Sequence, residues 1–167
     1  MKKKGFLPLV DDKTKILVLG TMPSEKSLKS GEYYANPTNQ FWRIIFRLFN
    51  CENSLLTYSD KVNLLMKKNI GLWDVLAKAK REGSLDSNIR DIEINDFEQF
   101  FLSYPNVSVL IFNGQKPAAY FYNCYKSYFN KDYFILPSTS SANTSKPFDV
   151  KLIDWKSIIT KYTDLQN

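Results

Sequence analysis

The segment Lys15-Ile-Leu-Val-Leu-Gly20 determines how the rest of this chain must be arranged. Four consecutive aliphatic residues between a lysine and a glycine are typical of a strand buried on both faces of a parallel sheet. Three other segments have related apolar patterns and are predicted to be buried strands of the same sheet: Asn69-Ile-Gly-Leu-Trp73, Val107-Ser-Val-Leu-Ile-Phe-Asn-Gly114 and Asp132-Tyr-Phe-Ile-Leu-Pro137. The sequence therefore predicts a four-stranded, mainly parallel sheet.

Amphipathic helices are predicted between these strands. Apolar residues recur at helical spacing in three segments, residues 41–49, 118–125 and 152–162. Asn95 and Glu98 have the spacing of a capping box and predict the start of another helix, which carries Phe97, Phe100 and Phe101. Alternating strands and helices predict one domain, residues 1–167, built as a three-layer α/β/α sandwich around the sheet.

The charge balance and the rare residue types limit the possible chemistry. Lys and Arg number 23 against 17 Asp and Glu, a net charge of +6, which favours an anionic partner such as nucleic acid. There is no histidine, and Cys51 and Cys124 are far apart in sequence, so neither a metal site nor a histidine-dependent mechanism is expected. No cofactor is predicted.

The sequence has no apolar run at its N-terminus that resembles a signal peptide, and no stretch of about 18 apolar residues that could span a membrane. A cytoplasmic protein is the expectation.

Three polar segments are predicted to meet at one edge of the sheet. Ligands of such folds bind beyond the carboxyl ends of the strands, which here are followed by residues 20–39, 113–115 and 137–145. The first of these contains Gly31-Glu-Tyr-Tyr-Ala-Asn-Pro-Thr-Asn-Gln-Phe-Trp42, in which aromatic rings stand beside amides. Rings and amides together suit a flat, hydrogen-bonding ligand such as a nucleobase.

These segments resemble a known family. Leu19-Gly-Thr-Met-Pro-Ser24 followed by Tyr33-Tyr-Ala-Asn-Pro-Thr-Asn-Gln-Phe-Trp42 resembles the hypoxanthine-DNA glycosylase family of the uracil-DNA glycosylase superfamily. Further matches are Gly71-Leu-Trp-Asp-Val75, Gly83-Ser-Leu-Asp-Ser-Asn-Ile89, Phe112-Asn-Gly114 and Pro137-Ser-Thr-Ser140, so the resemblance covers nearly the whole chain.

Two departures refine the resemblance. The mismatch-specific uracil glycosylases share the pattern Pro-x-Asn-x-Phe-Trp but carry a catalytic Asn in the first motif, where this chain has Met22. The hypoxanthine family also lacks that Asn, so Met22 favours the hypoxanthine branch. Ser141 stands where the family usually places a proline, in the loop expected to touch DNA.

The resemblance implies a DNA repair enzyme that hydrolyses the N-glycosidic bond of a deaminated base, above all hypoxanthine in deoxyinosine. Its substrate would be duplex DNA, with single-stranded DNA as an alternative, from which the nucleotide is flipped into the pocket. No lysine is placed for Schiff-base chemistry, which predicts a monofunctional enzyme without strand cleavage. A monomer is expected.

The resemblance also implies roles for individual residues. Asn39 would position the attacking water, although the same residue could cap the helix that follows it. Tyr34 would stack on the flipped base or, alternatively, fill the core. For Tyr33 the sequence does not distinguish between these two roles. Thr21 and Met22 would present backbone groups to the base. Asn113 would read the base edge or cap the next helix.

A polar loop after the last strand resembles the one that enters the duplex and grips phosphates. Its predicted DNA-contacting residues are Ser138, Thr139, Ser140, Ser141, Asn143 and Lys146, and Lys116 flanks them. A surface loop with no role in binding is the alternative. Asp74 and Asp86 lie in segments that match the family motifs, so either could contact water or the substrate. A role as a turn or cap residue is favoured for both.

Other functions remain open from the residues alone. A uracil or mismatch-specific glycosylase is the nearest alternative, because one Asn and one aromatic ring do not distinguish a purine from a pyrimidine. A catalytically silent nucleic-acid-binding domain on the same fold is another. A flavodoxin-like nucleotide-binding enzyme is disfavoured, since neither GxGxxG nor GxxxxGK[ST] occurs.

Overall fold

A computed structural model describes residues 1–51 and 56–163. Its strands are β1 (Lys3–Lys4), β2 (Ile16–Gly20), β3 (Ile70–Asp74), β4 (Leu76–Lys80), β5 (Arg90–Ile94), β6 (Val109–Asn113) and β7 (Asp132–Leu136). Its α-helices are α1 (Glu25–Ser30), α2 (Phe41–Leu48), α3 (Tyr58–Lys67), α4 (Phe97–Ser103), α5 (Gln115–Tyr125) and α6 (Phe148–Tyr162). Two 3₁₀ segments, Asp86–Asn88 and Lys126–Asn130, complete the described elements.

Four parallel strands form the central sheet in the order β3-β2-β6-β7, which confirms the predicted architecture. Every residue of β2 is buried, because β2 has a strand on each side and helices on both faces. The register places Gly20 opposite Asp74, and Asn113 opposite Leu136. The carboxyl ends of all four strands therefore lie at the same edge of the sheet.

The side chains of β2 alternate between two separate cores. Ile16 and Val18 pack with residues of α2, α3 and α6, whose largest fully buried members are Trp155 and Phe41. Leu17 and Leu19 face the other side, where α4 and α5 contribute these buried aromatic residues: Phe97, Phe100, Phe101 and Phe121. Helices thus cover both faces, as the α/β/α sandwich requires.

Strand β7 exists where the sequence predicts it, but the prediction that it is buried is wrong. It pairs with β6 and forms one edge of the sheet. Tyr133 and Ile135 keep 43% and 39% of their surface exposed, whereas Leu136 is buried. Strand β3 at the opposite edge is buried throughout, so neither an apolar run nor an edge position by itself decides whether the side chains of a strand are covered.

A second, three-stranded antiparallel sheet, in the order β1-β4-β5, was not predicted. Strand β4 follows β3 after only Val75, whose N–H donates to the carbonyl of Gly20. Strand β5 is mostly exposed, and the exposed residues of β4, Lys78 and Lys80, form ion pairs with Glu93 and Asp91 of β5. The apolar signal of a buried strand is therefore missing from this sheet.

The predicted capping box before α4 is wrong by one residue. The N-cap is Asp96, whose side chain accepts a hydrogen bond from the N–H of Gln99. Asn95 instead donates from Nδ2 to the carbonyl of Asp74, which anchors the chain to the end of β3. Helix α2 begins as predicted at Phe41 and ends at Leu48.

Among the described helices, none combines the length and the apolar character needed to cross a membrane.

The junction between β6 and α5 requires a glycine. Gly114 has φ 103° and ψ 174°, a backbone region that is almost exclusive to glycine. A Cβ at this position would stand 3.1 Å from Cβ of Ser138. A side chain at residue 114 would therefore crowd the loop after β7, which lies against the start of α5.

Gly114→Ala should lower the free energy of unfolding by about 1–3 kcal/mol, because the alanine is both strained and crowded. Gly83→Ala is the matched control, since Gly83 also has a positive φ of 68° but a Cβ there would meet nothing within 4 Å. Urea denaturation of both variants measures the difference. An equal loss in the two variants would show that the contact with Ser138 has no effect on stability.

Candidate active site

A cleft of about 360 Å³ opens at the carboxyl edge of the central sheet. The three polar segments that topology predicts to meet there do so. Of the predicted site residues, the following line the cleft: Thr21, Met22, Tyr34, Asn39, Asn113, Ser138, Thr139, Ser140, Ser141 and Asn143. Asp74, Asp86 and Lys116 line it as well.

The side-chain oxygen of Asn39 is already bound by two donors. Oδ1 accepts from the N–H of Phe41 at 2.9 Å and from Oγ1 of Thr139 at 2.8 Å. The N-cap position of α2 belongs to Gln40, which makes no side-chain cap bond. Asn39, one residue before the N-cap, therefore supplies a hydrogen-bond acceptor to a first-turn N–H of α2 that has no partner within the helix. Both acceptor sites of its side-chain oxygen are occupied.

Asn113 joins the end of β6 to the loop after β7. Its Nδ2 donates to Oγ1 of Thr139 at 2.9 Å and to the hydroxyl of Tyr34 at 3.2 Å, and its Oδ1 accepts from the N–H of Thr139 at 2.9 Å. It does not cap α5, because Gly114 holds that position without a side-chain bond. The alternative of a capping role is therefore wrong, and the role of reading a base stays a prediction.

Tyr33 and Tyr34 have different environments. Tyr33 is 5% exposed and its hydroxyl donates to the carbonyl of Leu7, so it is mainly a core residue that also borders the cleft. Tyr34 is partly buried, has φ 55°, and stacks on Phe41 with ring centroids 4.1 Å apart. Burial raises the pKa of both hydroxyls, which therefore stay protonated. Tyr34 lines the cleft, and its stacking on a base stays a prediction.

The turn after β2 is held from three sides. The carbonyl of Thr21 accepts from the N–H of Leu76, and its hydroxyl donates to Oδ2 of Asp86 at 2.8 Å. The side chain of Met22 packs with Leu76 and neighbouring apolar residues in a small third core. Asp86 therefore positions the turn, an anchoring function that its sequence motif alone did not indicate.

Arg81 was not singled out from the sequence, although it supports the same turn. Its guanidinium is 1% exposed, donates to the carbonyls of Pro23 and Gly83, and lies 3.9 Å from Oδ1 of Asp86. Burial lowers the pKa of Arg81 and raises that of Asp86. Nothing in the local sequence distinguishes this arginine from a surface one, so only the fold identifies it.

Asp74 is the most perturbed carboxyl group of the cleft. It is the last residue of β3, is 5% exposed, and its Oδ2 is buried without a hydrogen-bond partner among the described residues. Burial, followed by the nearby Asp86 carboxylate, raises the pKa of Asp74 to about 7. The interpretation of Asp74 as a turn or cap residue is wrong, because its side chain caps nothing in this region and instead lines the cleft.

The loop of residues 138–145 is packed against the body of the protein. Thr139 is fully buried, and Ser141 makes a 3.0 Å contact with the hydroxyl of Thr38. Lys151 of α6, which the sequence did not indicate, is buried and donates to the carbonyl of Asn143. Lys146 lies outside the cleft lining and pairs with Asp154 at 2.8 Å, so its contact with DNA stays a prediction.

The described residues contain no cluster of three side chains that could bind a metal ion. What the cleft offers is amide and hydroxyl groups, backbone groups of the turn after β2, and one carboxyl group that can hold a proton near neutral pH. This set can orient a water molecule, donate hydrogen bonds to a leaving group and supply one proton.

Comparisons with known proteins point to one family. The sequence model of the uracil DNA glycosylase superfamily matches residues 7–157. The chain is 39% identical over 120 residues to the hypoxanthine DNA glycosylase of Methanosarcina barkeri (strain Fusaro / DSM 804), covering 72% of this chain and 76% of that one. It is 38% identical over 143 residues to the hypoxanthine DNA glycosylase of Methanosarcina acetivorans, covering 86% and 89% respectively.

A solved structure extends the likeness to the fold. The solution NMR structure of a Methanosarcina acetivorans protein, described provisionally as a uracil DNA glycosylase, superimposes with a TM-score of 0.83. The two chains are 34% identical in sequence and cover each other completely.

Asp74→Asn should stabilise the protein at alkaline pH. The folded pKa of Asp74 is about 7, above the value of about 3.9 in an unfolded chain, so its contribution to stability is fully present below pH 4 and is lost as pH rises through 7. The neutral amide avoids this loss, and we expect a gain of roughly 2–4 kcal/mol at pH 8 and little difference near pH 4.

Urea denaturation at the two pH values measures this effect. Asp91→Asn is the control, because Lys80 lowers the pKa of that exposed carboxyl and its removal should bring no gain at pH 8. A gain for Asp74→Asn that is equal at both pH values would exclude titration of Asp74 as its cause.

Proposed function

The chain belongs to the uracil DNA glycosylase superfamily, and we propose that it excises hypoxanthine by hydrolysing the N-glycosidic bond of deoxyinosine in DNA. The observation that carries this proposal is the hydrogen-bonded group of Asn39, Thr139, Asn113 and Tyr34 within one cleft. The hypoxanthine DNA glycosylases to which the chain is similar support the choice of base.

The reaction needs no metal or histidine. As the bond between base and sugar breaks, the sugar becomes partly cationic and the base partly anionic. An enzyme accelerates this step by orienting a water molecule towards the sugar and by placing hydrogen-bond donors where the base gains charge. Amides, hydroxyls and backbone N–H groups can perform both tasks.

Asn39 is the proposed water-positioning residue. Its Oδ1 is held by the N–H of Phe41, which fixes the orientation of the amide towards the cleft. The second acceptor site of Oδ1 is taken by the hydroxyl of Thr139, so a water bound there would replace that hydroxyl. Because Thr139 belongs to the loop expected to contact DNA, loop movement on DNA would free the oxygen for water.

The remaining residues are proposed to bind the base and the DNA backbone. Tyr34 would present one ring face to the flipped base while its other face rests on Phe41. Backbone groups of Thr21 and Met22 and the amide of Asn113 would meet the base edge. Hydroxyl and amide groups of residues 138–143 suit phosphate contacts, which position DNA without reading its sequence.

DNA is thus the proposed macromolecular partner, and the protein is proposed to act in the cytoplasm as a monomer without a cofactor. Uracil remains the second candidate base, because the structurally similar Methanosarcina acetivorans protein is described provisionally as a uracil DNA glycosylase. A silent DNA-binding domain is the third possibility that an assay must address.

Labelled duplexes containing deoxyinosine, uracil or xanthine should distinguish these functions under single-turnover conditions, with alkali to cleave abasic sites. We expect release of hypoxanthine and a fall of about 100-fold to 1000-fold in Asn39→Ala. Asn39→Asp keeps the oxygen that binds Phe41 and Thr139, so it should retain more activity than Asn39→Ala if the oxygen holds the water. Asn106→Ala, an exposed amide bound to the carbonyl of Asp12, is the matched control.

Preferential release of uracil would move the protein to the uracil branch. Salt-sensitive DNA binding without release of any base would make it a binding domain and exclude the enzyme.

Lys116 should contribute to DNA binding more than Lys146 does. Lys116 is exposed in the first turn of α5 and lines the cleft, whereas the ammonium group of Lys146 is already paired with Asp154. Lys116→Gln should reduce the slope of log affinity against log salt by about 1. Binding titrations at several salt concentrations measure both variants, and a larger change for Lys146→Gln would reverse the assignment.

A further inference from the structure

We propose that Asp74 is the general acid of base excision, and that its protonated carboxyl gives a proton to N7 of the flipped purine as the glycosidic bond breaks. This proposal rests on the proposed function and adds to it a catalytic residue and a reason for preferring purines. The superfamily likeness does not assign this role to Asp74, and the sequence motif alone favours a turn or a cap.

The position of Asp74 is built into the end of the sheet. It ends β3 beside Gly20, the last residue of β2, and a Cβ on Gly20 would lie 2.6 Å from Oδ1 of Asp74 and 3.4 Å from the hydroxyl of Tyr34. The absence of a side chain at Gly20 therefore lets the carboxyl and the Tyr34 hydroxyl approach the same point at the base of the cleft.

The hydrogen bonding of this carboxyl is incomplete. Asp74 makes no side-chain hydrogen bond to another described residue, and Oδ2 is buried. Buried polar atoms of native proteins nearly always have a partner, and exceptions commonly mark sites of function. A carboxyl that lines a cleft without a protein partner can make its hydrogen bonds to a ligand.

The surrounding charges favour the protonated form near neutral pH. The Asp86 carboxylate disfavours a negative charge on Asp74 and so raises its pKa, whereas the Arg81 guanidinium lowers it. That guanidinium also donates to two carbonyls and lies beside Asp86. Tyr33 and Tyr34 face Asp74 as neutral hydroxyls. Burial is the largest cause, and it raises the pKa of Asp74 to about 7, where a carboxyl can both give and recover a proton.

The proton changes the leaving group. Transfer from the Asp74 carboxyl to N7 makes the base cationic, and the electron pair of the C1′–N9 bond then moves to N9, so hypoxanthine leaves as a neutral molecule. The oxygen of water bonds to C1′, its extra proton goes to solvent, and the Asp74 carboxylate recovers a proton from solvent. Uracil has no N7 to accept this proton at the same position, which gives the site a chemical preference for purines.

The test is the pH dependence of single-turnover hypoxanthine release between pH 5 and 9, with enzyme saturating over deoxyinosine-containing duplex. The wild-type rate should be constant at low pH and fall about tenfold per pH unit above 7, as the acid loses its proton. Asp74→Asn should be at least about 100-fold slower at pH 6 and independent of pH. Asp91→Asn, an exposed carboxyl paired with Lys80, should keep the wild-type rate and profile.

The outcomes separate this proposal from the proposed function. Wild-type excision with a flat profile, a rate that rises with pH, or an Asp74→Asn variant as fast as the wild type would each overturn the role of Asp74 and leave hypoxanthine excision standing. Failure of the wild type to release hypoxanthine would overturn both. The stability of Asp74→Asn at pH 8 shows separately that the variant is folded.

Discussion

The cleft depends on one chain of hydrogen bonds that joins three separate parts of the fold. Nδ2 of Asn113, at the end of β6, donates to the hydroxyl of Thr139, which in turn donates to Oδ1 of Asn39. The same oxygen accepts a second hydrogen bond from the N–H of Phe41 at the start of α2. Each of these groups is buried or partly buried, so breaking one bond would leave another without a partner. The chain therefore holds a strand end, a loop and a helix start in one arrangement.

The same edge of the sheet contains charges that a stable core would avoid. Asp74 and Arg81 are buried and Asp86 is partly exposed beside them, and burial disfavours the charge on each of the three. The two apolar cores on either side of the sheet offset this cost. An arrangement that reduces stability beside the candidate active site is typical of groups retained for function.

Met22 marks a difference between this chain and the mismatch-specific uracil glycosylases. The mismatch-specific uracil glycosylases, which the sequence resembles in part, carry an Asn in this motif, but here the side chain of Met22 packs into the small core beneath the second sheet. Asn39 reaches the cleft from the start of α2 instead. The amide proposed to position water in this chain is therefore on a different element from residue 22.

Much of the fold could be predicted from local patterns, because a buried strand and an amphipathic helix each leave a periodic signal. The four strands of the central sheet, the helices from Phe41, Gln115 and Phe148, and the edge where the polar segments meet all follow from that periodicity and from parallel topology. The second sheet lacks such a signal, since its exposed strands are stabilised by pairing and by lysine–carboxylate contacts.

By itself, the sequence determined the sandwich, the location of the cleft and most of the residues that line it. Only the tertiary structure decided which neighbours each of them has. It showed that the oxygen of Asn39 is held by Thr139, that Tyr33 is buried with its hydroxyl bound to the carbonyl of Leu7, and that Oδ2 of Asp74 is buried without a partner among the described residues. Burial, hydrogen bonding and pKa depend on groups distant in sequence, and the local order of residues does not contain that information.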